Sequence, residues 1–279
     1  MKRPATMAQE IFMTALIVAA TIAVSYGVAG LVRKPMNQAR KDIDKVPVAW
    51  EIRLKDNIKR YIENDSRVIR DRPVTSAIDT VRRRLLAYEK DTTYHIEILV
   101  IESETVNAVT FPGGLIVVFT PLIRLTSSPE ELASVIAHEI GHVVHRDPLR
   151  QMAKEIGIST ILAMVNGGKA PPMIETMVKD FLNIQYTRQQ ESAADDYALV
   201  LLAKAHINPA SFASFMRKLA PDTLSEKSSS FEYLSTHPDV HDRIQKAQEA
   251  GKDFKPALEK KLDVDWKAVK RSLPSLFDR

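Results

Sequence analysis

No cysteine occurs anywhere in the chain. That one absence excludes a disulfide framework, a cysteine-ligated zinc ribbon, an iron–sulfur cluster and a cysteine nucleophile. It leaves the redox compartment open, since a cysteine-free chain suits cytosol and periplasm alike. A strong charge of one sign is missing too. The chain carries 39 Lys and Arg against 35 Asp and Glu, a formal net charge of +4, and so even a balance gives no argument for a nucleic-acid partner. No internal repeat is visible. What is present is an ordinary globular mixture, 45% hydrophobic and 27% charged over 279 residues. It excludes collagen-like, mucin-like and wholly disordered classes. The length suits one good-sized domain with appendages and a core that folds without staples.

The average conceals one local extreme. From Ile11 to Val32 no residue is charged, with Lys2, Arg3 and Glu10 before the run and Arg33 and Lys34 after it. A membrane helix needs about 20 apolar residues to cross roughly 30 Å of hydrocarbon, so an uncleaved transmembrane anchor over 11–32 is expected. The rival is a cleaved signal peptide, whose apolar core is only about 7–15 residues long. Orientation stays open, because a large domain translocates largely regardless of flanking charge. On this reading residues 1–10 are a flank, 33–48 a polar tether with Pro35 and Pro47, 49–250 the main domain and 251–279 a polar, peripheral tail.

Helical spacing predicts helices over Ala49–Asn64, Val74–Tyr88, Pro129–His145, Leu149–Val165, Met173–Ile184, Arg188–Ala205, Pro209–Leu219 and Val240–Ala250. Strand signals are confined to His95–Ile101, Thr105–Phe111 and, after the turn Pro112-Gly113-Gly114, Leu115–Thr120. The expected fold class is α+β, predominantly helical, with one small β meander.

The chemistry centres on His138-Glu139-Ile140-Gly141-His142. Two histidines four apart project from one side of a helix, so both imidazoles can reach one metal ion. Ser128-Pro129-Glu130-Glu131 reads as the start of that helix, with Ser128 as N-cap, Pro129 in the first position and Glu131 closing a capping box. Leu132, Val135, Ile136 and Val143 form an apolar stripe that contains Glu139, with His138 and His142 along its edge. A carboxylate aimed into a core is costly unless positive charge awaits it. An incidental His and Glu on a surface helix would leave Glu139 on the opposite face.

A catalytic zinc takes three protein ligands and keeps one position open. Without cysteine, the third ligand is His, Glu or Asp. The metzincin pattern is excluded, because His145 and Pro148 stand where it requires a glycine and a further histidine. Downstream, Glu191 and Asp195 lie four apart on one helical stripe with Ala198 and Leu202. Glu191 suits the third ligand, and Asp195 suits the acceptor for the outer ring nitrogen of a zinc-bound imidazole, that of His138. The bland alternative for this segment is an exposed acidic turn. Glu139 suits the general base that takes a proton from water and later delivers it to the leaving amine.

These motifs in this order, His138-Glu139-x-x-His142, Tyr186-Thr187-Arg188-x-x-Glu191-x-x-Ala194-Asp195 and Ser235-Thr236-His237-Pro238 with Arg243-Ile244, resemble the membrane-linked zinc metalloendopeptidases. That family includes the HtpX heat-shock protease, the CAAX prenyl protease and the mitochondrial Oma-type peptidase. Asn107 to Gly114 resembles its edge strand and following turn. The resemblance covers about residues 70–250. It implies a gluzincin-type core, one Zn2+ per chain, hydrolysis of peptide bonds, and quality control of misfolded or misassembled envelope proteins. Its substrates would be unfolded or membrane-associated polypeptides, held in extended form along Asn107, Ala108, Val109 and Thr110. The resemblance also implies His237 and Arg243 as groups that stabilise the tetrahedral oxyanion. The alternatives are a His237 that occupies the open metal position of a latent enzyme, and an Arg243 that serves a structural ion pair. With one candidate span the chain is similar to the single-anchor bacterial members, so the expected location is a bacterial inner membrane, single-pass, with the peptidase domain in the periplasm. The competing function is a zinc-containing, chaperone-like binding protein that holds clients without cutting them.

Overall fold

A computed structural model describes residues 43, 46–89, 93–157, 159–161, 171–182, 184–220, 231–237 and 240–275. The chain divides into two units, Met1–Val46 and Pro47–Arg279, and every element below belongs to the second. In chain order these are α1 (Val48–Asp65), α2 (Arg72–Leu86), β1 (Glu97–Ile101), β2 (Ala108–Phe111), β3 (Leu115–Phe119), α3 (Thr120–Leu125), α4 (Pro129–Val144), α5 (Asp147–Ile156), α6 (Pro171–Phe181), α7 (Arg188–Lys204), α8 (Ala210–Leu219), α9 (Phe231–Thr236), α10 (Val240–Asp253), a 3-10 turn (Pro256–Leu258) and α11 (Trp266–Ser272). The fold is predominantly helical with a small three-stranded sheet.

That sheet is not a meander. Its order is β1-β3-β2, with β3 parallel to β1 (Leu99 opposite Val117) and antiparallel to β2 (Val109 opposite Val117). Strand β3 reads Leu-Ile-Val-Val-Phe and is buried at every residue. A continuous apolar strand covered on both faces belongs in the middle of a sheet, whereas a meander would have left it at an edge. β1 is mostly half-exposed. The turn from β2 into β3 passes through Gly113 and Gly114 at φ +81° and +89°. A Cβ on Gly113 would meet the Glu51 carbonyl oxygen at 2.4 Å, so both the turn and the contact with α1 require glycine there.

α4 is the structural centre. The Ser128 hydroxyl accepts the Glu131 N–H at 3.3 Å, and Pro129 takes the first helical position, where its missing N–H costs nothing. The reciprocal half of the expected capping box is absent. The Glu131 carboxylate turns outward instead to the Ser127 N–H, the Ser214 hydroxyl and the Lys218 ammonium, because charge assistance outweighs a neutral cap bond. Nearly the whole helix is buried, with Leu132, Val135, Ile136 and Ile140 at the heart of the core. Burial of such side chains contributes about 1.5–3 kcal/mol each. α4 packs on α2, α7, α8 and β2, so its polar residues are carried into the interior along with the apolar ones.

Over residues 251–275 the tail is integrated rather than peripheral. Phe254, Leu262, Val269 and Leu273 are buried, and α11 packs on α2. The Trp266 indole N–H donates to the Thr126 carbonyl at 3.3 Å, and Lys270 donates to that of Arg124 at 3.0 Å. The charged residues between these apolar anchors face water, which is why composition alone reads the segment as a solvated arm.

The membrane location expected from the sequence requires correction. Among the described residues no helix is long and apolar enough to cross a membrane. α1 has 18 residues, but charged groups run through it from Glu51 to Asp65. The stretch 11–32, on which a single-pass bacterial inner-membrane protein with a periplasmic domain was expected, lies outside the described residues.

One close approach positions the centre described next. A Cβ on Gly141 would stand 3.0 Å from both Cα and O of Ala194 in α7. Glycine here lets α4 and α7 touch backbone to backbone. Gly141→Ala is expected to force the helices apart and cost about 1–3 kcal/mol, measured as a fall in urea midpoint without change in slope; an unchanged midpoint contradicts the contact.

Candidate metal centre

α4, α7 and the residue after α9 deliver four donors to one buried point. His138, His142, Glu191 and His237 each offer an atom within 4.8 Å of all the others. Nε2 of His142 lies 3.1 Å from Nε2 of His138 and 3.3 Å from Oε1 of Glu191. Nδ1 of His237 lies 3.4 Å from Nε2 of His138 and 2.9 Å from Oε1 of Glu191. Atoms placed tetrahedrally about 2.0–2.1 Å from a common centre stand roughly 3.3 Å apart. The spacing and the donor types therefore fit one zinc-sized ion.

The outer nitrogens are also committed. His138 Nδ1 faces Asp195 Oδ1 at 2.9 Å, and His142 Nδ1 faces Asp147 Oδ2 at 2.9 Å. A carboxylate on the far nitrogen holds the ring's proton there and turns the near lone pair toward a metal. Tyr186 stacks on His142 with centroids 3.9 Å apart, Phe212 stacks on His138 at 5.6 Å, and Tyr233 flanks His237 at 4.6 Å. The imidazoles are thus fixed by aromatic walls as well as by hydrogen bonds.

Glu139 is fully buried beside this group. Its Oε2 accepts the Thr110 hydroxyl at 2.6 Å, while Oε1 has no hydrogen-bond partner and lies 3.7 Å from Nε2 of His237. Thr110 sits on β2, so the sheet anchors one oxygen of this carboxylate and leaves the other available. The remaining residues of the 107–110 segment are equally buried: Asn107 Oδ1 accepts the Ala108 N–H at 2.9 Å, and Ala108 and Val109 pair with β3. Arg243 of α10 grips Asp195 through Nε at 2.8 Å and Nη2 at 2.9 Å, and pairs with Glu191 through Nη1 at 2.7 Å.

Glu139, Asp147, Glu191 and Asp195 are all buried here, opposed by the Arg243 guanidinium. Burying excess negative charge is expensive unless cations compensate it. In the metal-free protein the imidazoles respond: burial works against protonating His142, but the Asp147 and Glu191 carboxylates raise it to about 10. Burial would likewise raise Glu191, yet His237, Arg243 and His138 hold it well below the usual carboxylate range. His237, dominated by burial, is lowered.

Residues 70–250, more than half of the chain, match the sequence profile of peptidase family M48. The chain belongs to that family. It is 35% identical over 145 residues to the mitochondrial metalloendopeptidase OMA1 of Arabidopsis thaliana, a match covering 51% of this chain and 29% of that protein. It is 30% identical over 213 residues to a putative beta-barrel assembly-enhancing protease of Vibrio cholerae, covering 72% and 44% respectively. With metalloprotease LoiP of Escherichia coli it shares 28% identity over 149 residues, 51% of this chain and 58% of the other. The M48 chain spans less than half the length of the first two relatives and under two thirds of the third.

Two contacts of the constellation lie outside what the sequence predicts. Asp147 carries a weak signal, an Asp-Pro helix start five residues after His142. The grip of Thr110 on Glu139 carries none, because it depends on how β2 lies against α4. His145 stands apart, its ring edge-on to Tyr197 at 5.9 Å.

The centre makes stability fall in acid. Burial raises the Asp195 carboxyl, but Arg243 and His138 outweigh it and bring it from 3.8 to about 2. Glu97, on the far side of the sheet, is likewise raised by burial but lowered overall from 4.5 to about 2 by Lys55 and Lys59. A depressed carboxylate stabilises the fold above its unfolded value and loses that contribution as pH falls through the folded one. The melting temperature of metal-free protein is therefore expected to drop as pH falls from 4.5 towards 2, with a shallower drop in Asp195→Asn; equal slopes contradict the assignment.

Proposed function

We propose that the chain is a zinc-dependent endopeptidase, with a gluzincin-type ligand set in a peptidase domain spanning residues 49–250, that cuts unfolded or misassembled polypeptides in protein quality control. The observation that carries this reading is the convergence of His138 Nε2, His142 Nε2 and Glu191 beside a Glu139 carboxylate with one oxygen tied down and the other free. A metal serving only the fold needs no such carboxylate. The quality-control element is supported by a relative named as an assembly-enhancing protease.

His138, His142 and Glu191 would hold the ion. When bound, zinc polarises the scissile carbonyl and makes water nucleophilic near neutral pH. Glu139 Oε1 accepts the proton of the attacking water and passes it to the leaving amine, while Thr110 keeps the carboxylate from rotating away. Arg243 balances Glu191 and Asp195 and holds them in place. With its nitrogens engaged by those two residues, it acts by positioning rather than on the oxyanion. β2 lies at the edge of the sheet, and because Asn107 to Thr110 are buried in the described conformation, they serve as the track for extended substrate only once that edge is uncovered. His237 Nδ1, 3.4 Å from His138 Nε2 and 2.9 Å from Glu191 Oε1, would be a fourth donor to the metal, where catalysis requires an open position. The described conformation is thus a resting one, and His237 withdraws before it can assist the transition state.

Cleavage of casein by zinc-loaded wild type, Glu139→Gln and His237→Ala tests this. Glu139→Gln should keep zinc and lose at least about 100-fold in kcat. His237→Ala should raise basal cleavage several-fold. Failure of every form, His237→Ala included, to cut an unfolded protein would overturn the peptidase reading in favour of a chaperone-like binding protein.

A further inference from the structure

We propose that Asp147 and Gln190 form a positioning bridge that sets how tightly the centre holds its metal, by tying the helix that supplies two imidazoles to the helix that supplies the carboxylate. The inference rests on the metal reading above and concerns residues that do not themselves touch the ion.

Asp147 is the first residue of α5. The chain reverses just before it at Arg146, a non-glycine residue at φ +56° whose guanidinium is held by the buried Glu51 carboxylate at 2.7 Å. A left-handed arginine costs conformational energy unless its surroundings impose it. The ion pair to α1 supplies that support. The reversal aims Asp147 back at the helix it has just left, where Oδ2 meets His142 Nδ1 at 2.9 Å. Its other oxygen, Oδ1, accepts the Gln190 side-chain N–H at 3.0 Å. The carboxylate is buried, and both oxygens are in use.

Gln190 is committed at both ends as well. Its Oε1 accepts the Thr187 backbone N–H at 3.0 Å and the Thr187 hydroxyl at 2.9 Å, closing the capping box that starts α7. The next residue is Glu191. The contacts run without a gap from one ligand to another: His142 to Asp147, Asp147 to Gln190, Gln190 to the first turn that carries Glu191.

The polarity of this chain is fixed at each step. An ionised carboxylate only accepts, so His142 must carry a proton on Nδ1, which leaves Nε2 as the nitrogen whose lone pair a metal would take. The Gln190 oxygen faces two donors, so its NH2 must face Asp147. No member can reverse alone, but Asp147 and Gln190 can exchange chemistry together. Asp147→Asn still offers His142 an acceptor, yet turns its NH2 on the Gln190 NH2, donor against donor. Gln190→Glu sets two carboxylates face to face. In the double variant the new amide donates to the new carboxylate, the His142 bond is kept, the Thr187 donors are still accepted, and the net charge of the pair is unchanged.

The test is zinc affinity of metal-stripped protein, measured by competition with a chromophoric chelator, for wild type, D147N, Q190E and D147N/Q190E. Melting temperatures of the metal-free forms are measured alongside. Each single variant should bind zinc about 10–100-fold more weakly, the range for lost partners of metal ligands. The double variant should regain at least about tenfold over either single. A packing role alone would shift melting temperatures without restoring affinity in the charge-exchanged pair. Should either single variant fail to fold, Gln190→Ala removes the donor while Thr187 still caps α7, and is expected to weaken zinc about tenfold at near-constant melting temperature. Single variants within threefold of wild type, or a double variant no tighter than the singles, overturn the bridge while leaving the metal reading standing. A wild type that takes up no zinc overturns the metal reading itself.

Discussion

His138 and His142 each rest their outer nitrogen on a buried carboxylate, Asp195 and Asp147, and those two contacts govern how the molecule is arranged. They turn both inner nitrogens toward Glu191 and concentrate negative charge where solvent cannot dissipate it. Without a compensating cation that concentration is unfavourable. Arg243 neutralises part of it, and protonation of His142 another part. A divalent ion would complete the balance while replacing that proton, which would couple metal uptake to pH. The same charge excess that would destabilise a metal-free core would then be the source of metal affinity.

The fold supplies rigidity for this arrangement from three directions. α4 is buried almost throughout, so His138, Glu139 and His142 are held within the core. Gly141 lets α7 approach α4 until the backbones touch, bringing Glu191 and Asp195 to the right depth. The sheet contributes through Thr110, which fixes one oxygen of Glu139. Catalytic groups held on helices and strands in this way keep geometry that loops would lose. Family M48 membership and the geometry agree on a metallopeptidase site whose parts come from distant points in the chain.

The helices that carry the candidate metal donors are legible in the sequence because both signals are local. His138 and His142 are four apart within an apolar stripe, and Glu191 and Asp195 are four apart among small residues, so helical periodicity alone puts each pair on one face. Other features are hidden because they are set by tertiary contact. Strand periodicity cannot distinguish a meander from the β1-β3-β2 order, since Leu115–Phe119 is simply apolar. The Glu131 carboxylate abandons its cap for Lys218, a partner far along the chain. Leu262, Val269 and Leu273 are lost among the charges of a segment that reads as solvated. Asp147 joins the centre only because Arg146 turns the chain back, and no periodicity encodes that reversal.

A metallopeptidase centre of this kind requires one ion bound jointly by α4 and α7. X-ray absorption at the zinc edge of the purified protein addresses this most directly. The expected result is about one zinc per chain with a first shell of nitrogen and oxygen at about 2.0–2.1 Å, dominated by imidazole scattering. Protein free of zinc, or zinc in a shell of six oxygens without imidazole, would contradict it.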